Sequence, residues 1–258
     1  MKHKLGRIKS PALGVKGLKM AMCAEWHLNK LGSPPPRSTG WRNAVNALTG
    51  GDWLEEGNDT VGDCTCADQA HRKMLTTANA GTMVTPTSTD TLALYSAITG
   101  YTPTDPKTDQ GADMQAVADY CLNTGFMGTK FDSYANLHPG NQDHIKWGIQ
   151  LLSSVSIGVK LPNNAQAQFD AGDPWDTTFL PHFIEGGHDV ILCDYDEQYF
   201  YCVTWGKIQA ITPAWLKRYL DEAILPLDPD WINAVKCQSP SGFDLNALRA
   251  DLAELKGD

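Results

Sequence analysis

No apolar stretch approaches the roughly 18 residues of a membrane-crossing helix, so a membrane role is not expected of this chain. Residues 1–20 lack even the shorter apolar run, about 7 to 15 residues, of a secretory signal, which points to a cytoplasmic location. Basic residues are the minority: 21 Lys and Arg stand against 30 Asp and Glu, a formal charge of −9. General nucleic-acid binding, which needs clustered cations for its phosphate contacts, is argued against. The seven cysteines include no Cys-x-x-Cys pair of the kind that holds zinc, and an odd number cannot all pair. Reduced thiols fit better, several packed as small apolar residues; for Cys193 and Cys202 core packing is favoured over a disulfide. His3, His27, His71, His138 and His144 show no ligand-like spacing, and neither a metal nor a cofactor is expected.

Acidic residues are absent from residues 1–20, where Lys2, Lys4, Arg7, Lys9, Lys16 and Lys19 stand, and a solvated basic arm is expected. Residues 30–40, with three consecutive prolines, read as an extended linker, which sets residues 1–45 apart from a domain over 46–238. Residues 239–258 carry Leu245, Leu248, Leu252 and Leu255 as a helical stripe and are expected to dock on that domain. The chain has 258 residues, 42% of them apolar, and eight tryptophans, enough for one domain of two lobes around a real core.

What is present centres on residues 58–71. Gly62 permits a tight turn, Asp63 is a good N-cap residue, and residues 64–75 are nearly all competent helix formers. Cys64 therefore falls in a first helical turn, where unpaired N–H groups and the helix dipole favour a thiolate and can bind an oxyanion. Cys66 lies about 200° further round the helix, so only one of the two can face a given partner, and Cys64 is preferred. The partner base is His188, which opens an apolar run predicted as a buried strand. Gly186 and Gly187 leave room beside its ring, and residues 199–206 return as the second strand of a hairpin. His182, framed by neither strand nor glycine pair, is the weaker candidate.

The remaining segments alternate helix and turn signals. A capping pattern begins a helix over 88–98 that ends at Gly100, and amphipathic helices are predicted over 113–123 and 141–152. Asp105, Asp109, Gly111 and Asp113 are spaced unlike an EF-hand and read as a turn. Residues 153–161 alternate as a strand. The aromatic loop over 162–184 is read either as a wall beside His188 or as a solvated insertion.

A Gly-x-Cys turn entering a helix, then Gly-His before an apolar run, then an aromatic strand ending in Trp205-Gly206, resembles the papain-like cysteine peptidases. The likeness is nearest to divergent microbial members and extends over roughly residues 50–235. It implies an α+β, two-lobed fold, with a helical lobe led by the nucleophile helix, an antiparallel β-rich lobe carrying the histidine, and a cleft between them. It implies Cys64 as nucleophile and His188 as base, with Asn58 where the family has an oxyanion glutamine and Thr204 where it has a histidine-orienting asparagine. Gly111, Gly187 and Trp205 are then expected to line the substrate. The implied activity is cleavage of an amide in a peptide or protein substrate. Two alternatives stay open: hydrolysis of peptidoglycan amides, and a non-catalytic module in a larger assembly of virion or phage type. No long helical propeptide is recognisable ahead of residue 46.

Overall fold

The computed structural model describes residues 3–11, 34–179, 182–232 and 239–242. In chain order these form β1 (Arg7–Ile8), α1 (Arg42–Thr49), α2 (Cys64–Ala80), α3 (Ser88–Thr99), β2 (Ala112–Asp113), α4 (Met114–Asn123) and β3 (Ser133–Asn136). There follow α5 (Gln142–Leu152), β4 (Val155–Pro162), α6 (Ala165–Ala171), β5 (Ile184–Tyr195), β6 (Phe200–Thr204), β7 (Lys207–Ile211), α7 (Pro213–Tyr219) and β8 (Leu220–Leu227). Six strands make one antiparallel sheet in the order β3-β8-β4-β5-β6-β7, and β1 pairs in parallel with β2. The mixture of helices with an antiparallel sheet is the α+β architecture that the sequence implied.

Local chemistry sets the element ends. Thr87 and Asp90 close a reciprocal capping box at the start of α3, and Gly100 ends it in the left-handed region. Asp113 caps α4 by accepting from the Ala116 N–H, and Thr212 with Pro213 opens α7. Strand β5 is a continuous apolar run because both of its faces are covered. Val190 and Leu192 join a core with Ile149, Ile157, Trp175 and Trp215, while Ile191 and Cys193 meet Met74 and Leu75 of α2. A third cluster, holding Cys66, Leu94, Tyr95, Val117 and Phe131, fills the helical lobe. The helix α2 therefore lies between the sheet and the other helices, which fixes its N-terminus beside β5.

The domain starts earlier than residue 46. The Thr39 N–H bonds the Tyr195 carbonyl, the Trp41 indole N–H bonds that of Ile149, and Val45 lies in the core. Residues 3–7 are not a solvated arm: they lie in the cleft, as described below. The 162–184 segment is part cleft wall and part core, since Trp175 is buried against Trp215 while Phe179 is fully exposed. Cys193 and Cys202 are free thiols in different cores, on opposite faces of their hairpin. Cys23, Cys237 and the helix expected from the leucines at 245–255 lie outside the described residues. Among the described residues no helix is long and apolar enough to cross a membrane.

Candidate active site

The turn before α2 is held by two carboxylates. Asp109 accepts from the Gly62 N–H and the Tyr95 hydroxyl, and that hydroxyl accepts from the Gly111 N–H. The Asn58 amide donates to the Val61 carbonyl and to Asp63, so both of its protons serve the turn. Asn58 thus supports the nucleophile turn with the amide that the resemblance had assigned to the oxyanion. Asp63 is pushed up to about 8 by burial. Cys64 opens α2 and is 1% exposed. The N–H groups of Cys64 and Thr65 have no intrahelical carbonyl to bond, since the helix ladder begins with Cys66 and Ala67 donating to Asp63. Cys66 points the other way, into the helical-lobe core.

His188 sits on β5, also 1% exposed. Its Nε2 shares a 2.8 Å hydrogen bond with the Thr204 hydroxyl of β6, and its ring stacks on Trp205 at 5.0 Å and 19°. The buried Nδ1 has no hydrogen-bond partner. The backbone of the next residue, Asp189, lies against the Cys64 thiol, which places Cys64 beside the strand that carries His188. Trp205 takes a positive φ of 45°, a strained backbone that lays its ring under the imidazole.

Residues 3–10 fill the groove above this pair. His3 also stacks on Trp205, at 4.5 Å, and Lys4 pairs with Asp109. Gly6 accepts from the Ala112 N–H at 2.9 Å, and its backbone lies against the Cys64 thiol. A Cβ on Gly111 would lie 2.0 Å from the Gly6 oxygen, and one on Gly187 would lie 2.4 Å from the Arg7 oxygen. The two glycines expected to line a substrate thus line residues 6 and 7 of the chain itself. Arg7 buries its guanidinium against Asp221, at 2.7 Å, and Glu222. Of the cations that suggested a solvated arm, Lys4 and Arg7 instead pair with carboxylates of the groove.

This cover sets the electrostatics. Burial pushes the Cys64 thiol up to about 12, with the nearby Asp189 adding to the rise. Burial, then the charges of His3 and Arg7, pull His188 down to about 3. In the covered state the pair is therefore a neutral thiol and a neutral imidazole. The thiolate expected from the helix dipole is outweighed, because the dipole contributes little beside the loss of water on all sides of the sulfur. Cys64 belongs to none of the apolar clusters; part of its cover is the arm.

Sequence reasoning assigned no site role to Tyr95, Gly158, Asp189, Asp221 or Glu222, and read Asp109 only as part of a turn, yet all of them shape this groove. The one available signal was the pairing of a wholly basic arm with an acidic remainder.

No family model matches the sequence, and no curated protein is detectably similar to it. Solved structures are. Xylellain, a cysteine protease from Xylella fastidiosa, superposes with a TM-score of 0.65 at 13% identity, over 87% of this chain and 96% of that one. A procathepsin B from Trypanosoma congolense follows at 0.57 and 9% identity, over 87% and 86% of the two chains. Procathepsin L 3 of Tenebrio molitor larval midgut gives 0.55 at 14%, over 87% and 75%. The chain has the papain-like cysteine protease fold.

Proposed function

We propose that this chain is a cysteine-dependent peptide hydrolase. The observation that carries the reading is His188, held by Thr204 at Nε2 and stacked on Trp205, with Nδ1 unpartnered, on the strand whose next residue lies against the Cys64 thiol. Once the groove is vacated, Nδ1 takes the thiol proton and the sulfur bonds to the carbonyl carbon of a peptide. The Cys64 N–H stabilises the oxyanion, and losing one such donor typically costs about 3 kcal/mol. Collapse expels the amine with the proton from His188. Water, deprotonated by His188, then cleaves the thioester to release the acid and restore the thiol.

The test is the full chain carrying Gly6→Ala, incubated with an electrophilic peptide probe and with internally quenched peptides, then mapped by mass spectrometry. An adduct on Cys64 that is lost in His188→Ala, together with peptide cleavage, supports the reading; an unmodified Cys64 overturns it. A second reading, a non-catalytic peptide-binding module, is favoured by the Asn58 amide being tied into the turn. It gains if peptides bind while Cys64 stays unreactive.

A further inference from the structure

The groove contains a notch built across three strands. In the sheet, Gly158 of β4 stands between Asp189 of β5 and Glu222 of β8. Directly opposed residues of antiparallel strands face the same side, so two carboxylates flank a position with no side chain. The β4–β8 pairing slips after Gly158, where Val159 pairs with Leu220, leaving Asp221 as the extra residue of a bulge. In a regular strand Asp221 and Glu222 would face opposite sides; the bulge lets both carboxylates reach one guanidinium.

That guanidinium belongs to Arg7. Its Nη2 meets Asp221 at 2.7 Å and also Glu222, and its Nη1 lies 3.4 Å from the Val159 carbonyl. A Cβ on Gly158 would lie 2.2 Å from the Arg7 Nε, so the glycine is what makes the space. Asp189 is 3% exposed and its Oδ1 has no hydrogen-bond partner; burial raises its carboxyl well above the usual range, and the charge of Arg7 acts against that rise. The guanidinium takes both carboxylates at Nη2 and the carbonyl at Nη1, while its Nε has no hydrogen-bond partner.

We infer that this notch is a specificity subsite for arginine, and that peptides taken into the groove carry an arginine where Arg7 now lies. The inference rests on reading the groove as a substrate cleft. Gly6→Ala displaces residues 5–7 without altering the notch, since its Cβ would stand 1.8 Å from the Gly62 oxygen. Arg7→Ala is a second way to empty it.

Binding of the peptide Lys-Leu-Gly-Arg-Ile-Lys to each full-length variant is measured calorimetrically, beside the same peptide with neutral citrulline replacing arginine. The arginine peptide is expected to bind at least about tenfold more tightly, the scale of charge-assisted hydrogen bonds. Adding Asp221→Asn with Glu222→Gln should bring the ratio close to one. Equal binding of the two peptides, a ratio untouched by those substitutions, or no binding to either variant overturns the inference. Binding needs no thiol chemistry, so the two readings fail separately. An inert chain that still prefers arginine sinks only the hydrolase reading, and cleavage without preference sinks only the subsite.

Discussion

A Cβ on Gly6 would stand 1.8 Å from the carbonyl oxygen of Gly62, two residues before the sulfur of Cys64. Only a residue without a side chain lets the arm lie this close. In Gly6→Ala the arm is expected to lift, water to reach the sulfur, and the thiol to return from about 12 toward its ordinary range. Alkylation of Cys64 by iodoacetamide at pH 7 should rise on the order of a hundredfold or more, as the thiolate fraction recovers. Cys66, packed in the helical lobe, should stay protected in both forms. Equal Cys64 rates in the two chains would disprove the cover.

Thr204 holds the outer nitrogen of His188 inside a buried site. Thr204→Val keeps the shape but strands that nitrogen, a loss of about 1–3 kcal/mol. In the Gly6→Ala background, Cys64 reactivity toward a peptide electrophile should fall about tenfold or more. Thr204→Ser, which restores the hydroxyl, should recover most of it.

Asp63 is raised to about 8 in the folded chain by burial, from an ordinary value near 3.8. A carboxyl raised on folding contributes stability that is complete below its unfolded value and is lost as pH rises toward its folded one. Asp63→Asn has no such dependence. Its stability relative to the parent should therefore climb between about pH 4 and pH 8 and level off above. Urea denaturation at pH 4, 6, 8 and 9 measures this, and a flat difference would refute it.

His188 responds in the opposite sense. Covered, it is held near 3, mainly by burial; uncovered, it returns toward the usual histidine value of 6.5. The open form therefore binds more protons between those limits, and the covered form weakens as pH falls from about 6.5 toward 3. His3, lowered by burial where it stacks on Trp205, pulls the same way. Amide exchange over residues 3–8 should accelerate across that window beyond the intrinsic pH effect while β5 stays protected.

Arg72 of α2 is buried and bonds Ser154, Ser156 and Asp68 below the groove. Arg72→Met leaves Asp68 as an uncompensated buried carboxylate and should cost about 3–5 kcal/mol. Chemical denaturation reads the loss; a change under 1 kcal/mol, roughly a surface effect, would contradict it.

Much of the fold was legible because it is written locally. The capping pattern at 87–90, the glycine after α3 and the alternation over 153–161 each depend on residues within a few positions of one another. The Cys64 turn and the run after His188 were legible for the same reason. The hydrogen bonds of Asn58 were not legible, because a motif counts positions and does not record where amide protons go. The 45/46 boundary failed because Trp41 and Val45 join the body through long-range contacts.

The sequence by itself determined the helix that begins at Cys64, the strand that carries His188, and a basic segment in an otherwise acidic chain. Only the tertiary structure decided that Gly6 of this segment lies against the Cys64 turn, and that Gly158, Asp221 and Glu222 make a seat for Arg7. The reason is one of range. Helix and strand signals act between neighbours, whereas the seat depends on strand register and a bulge joining residues 7, 158, 189 and 222, which nothing in their own surroundings specifies.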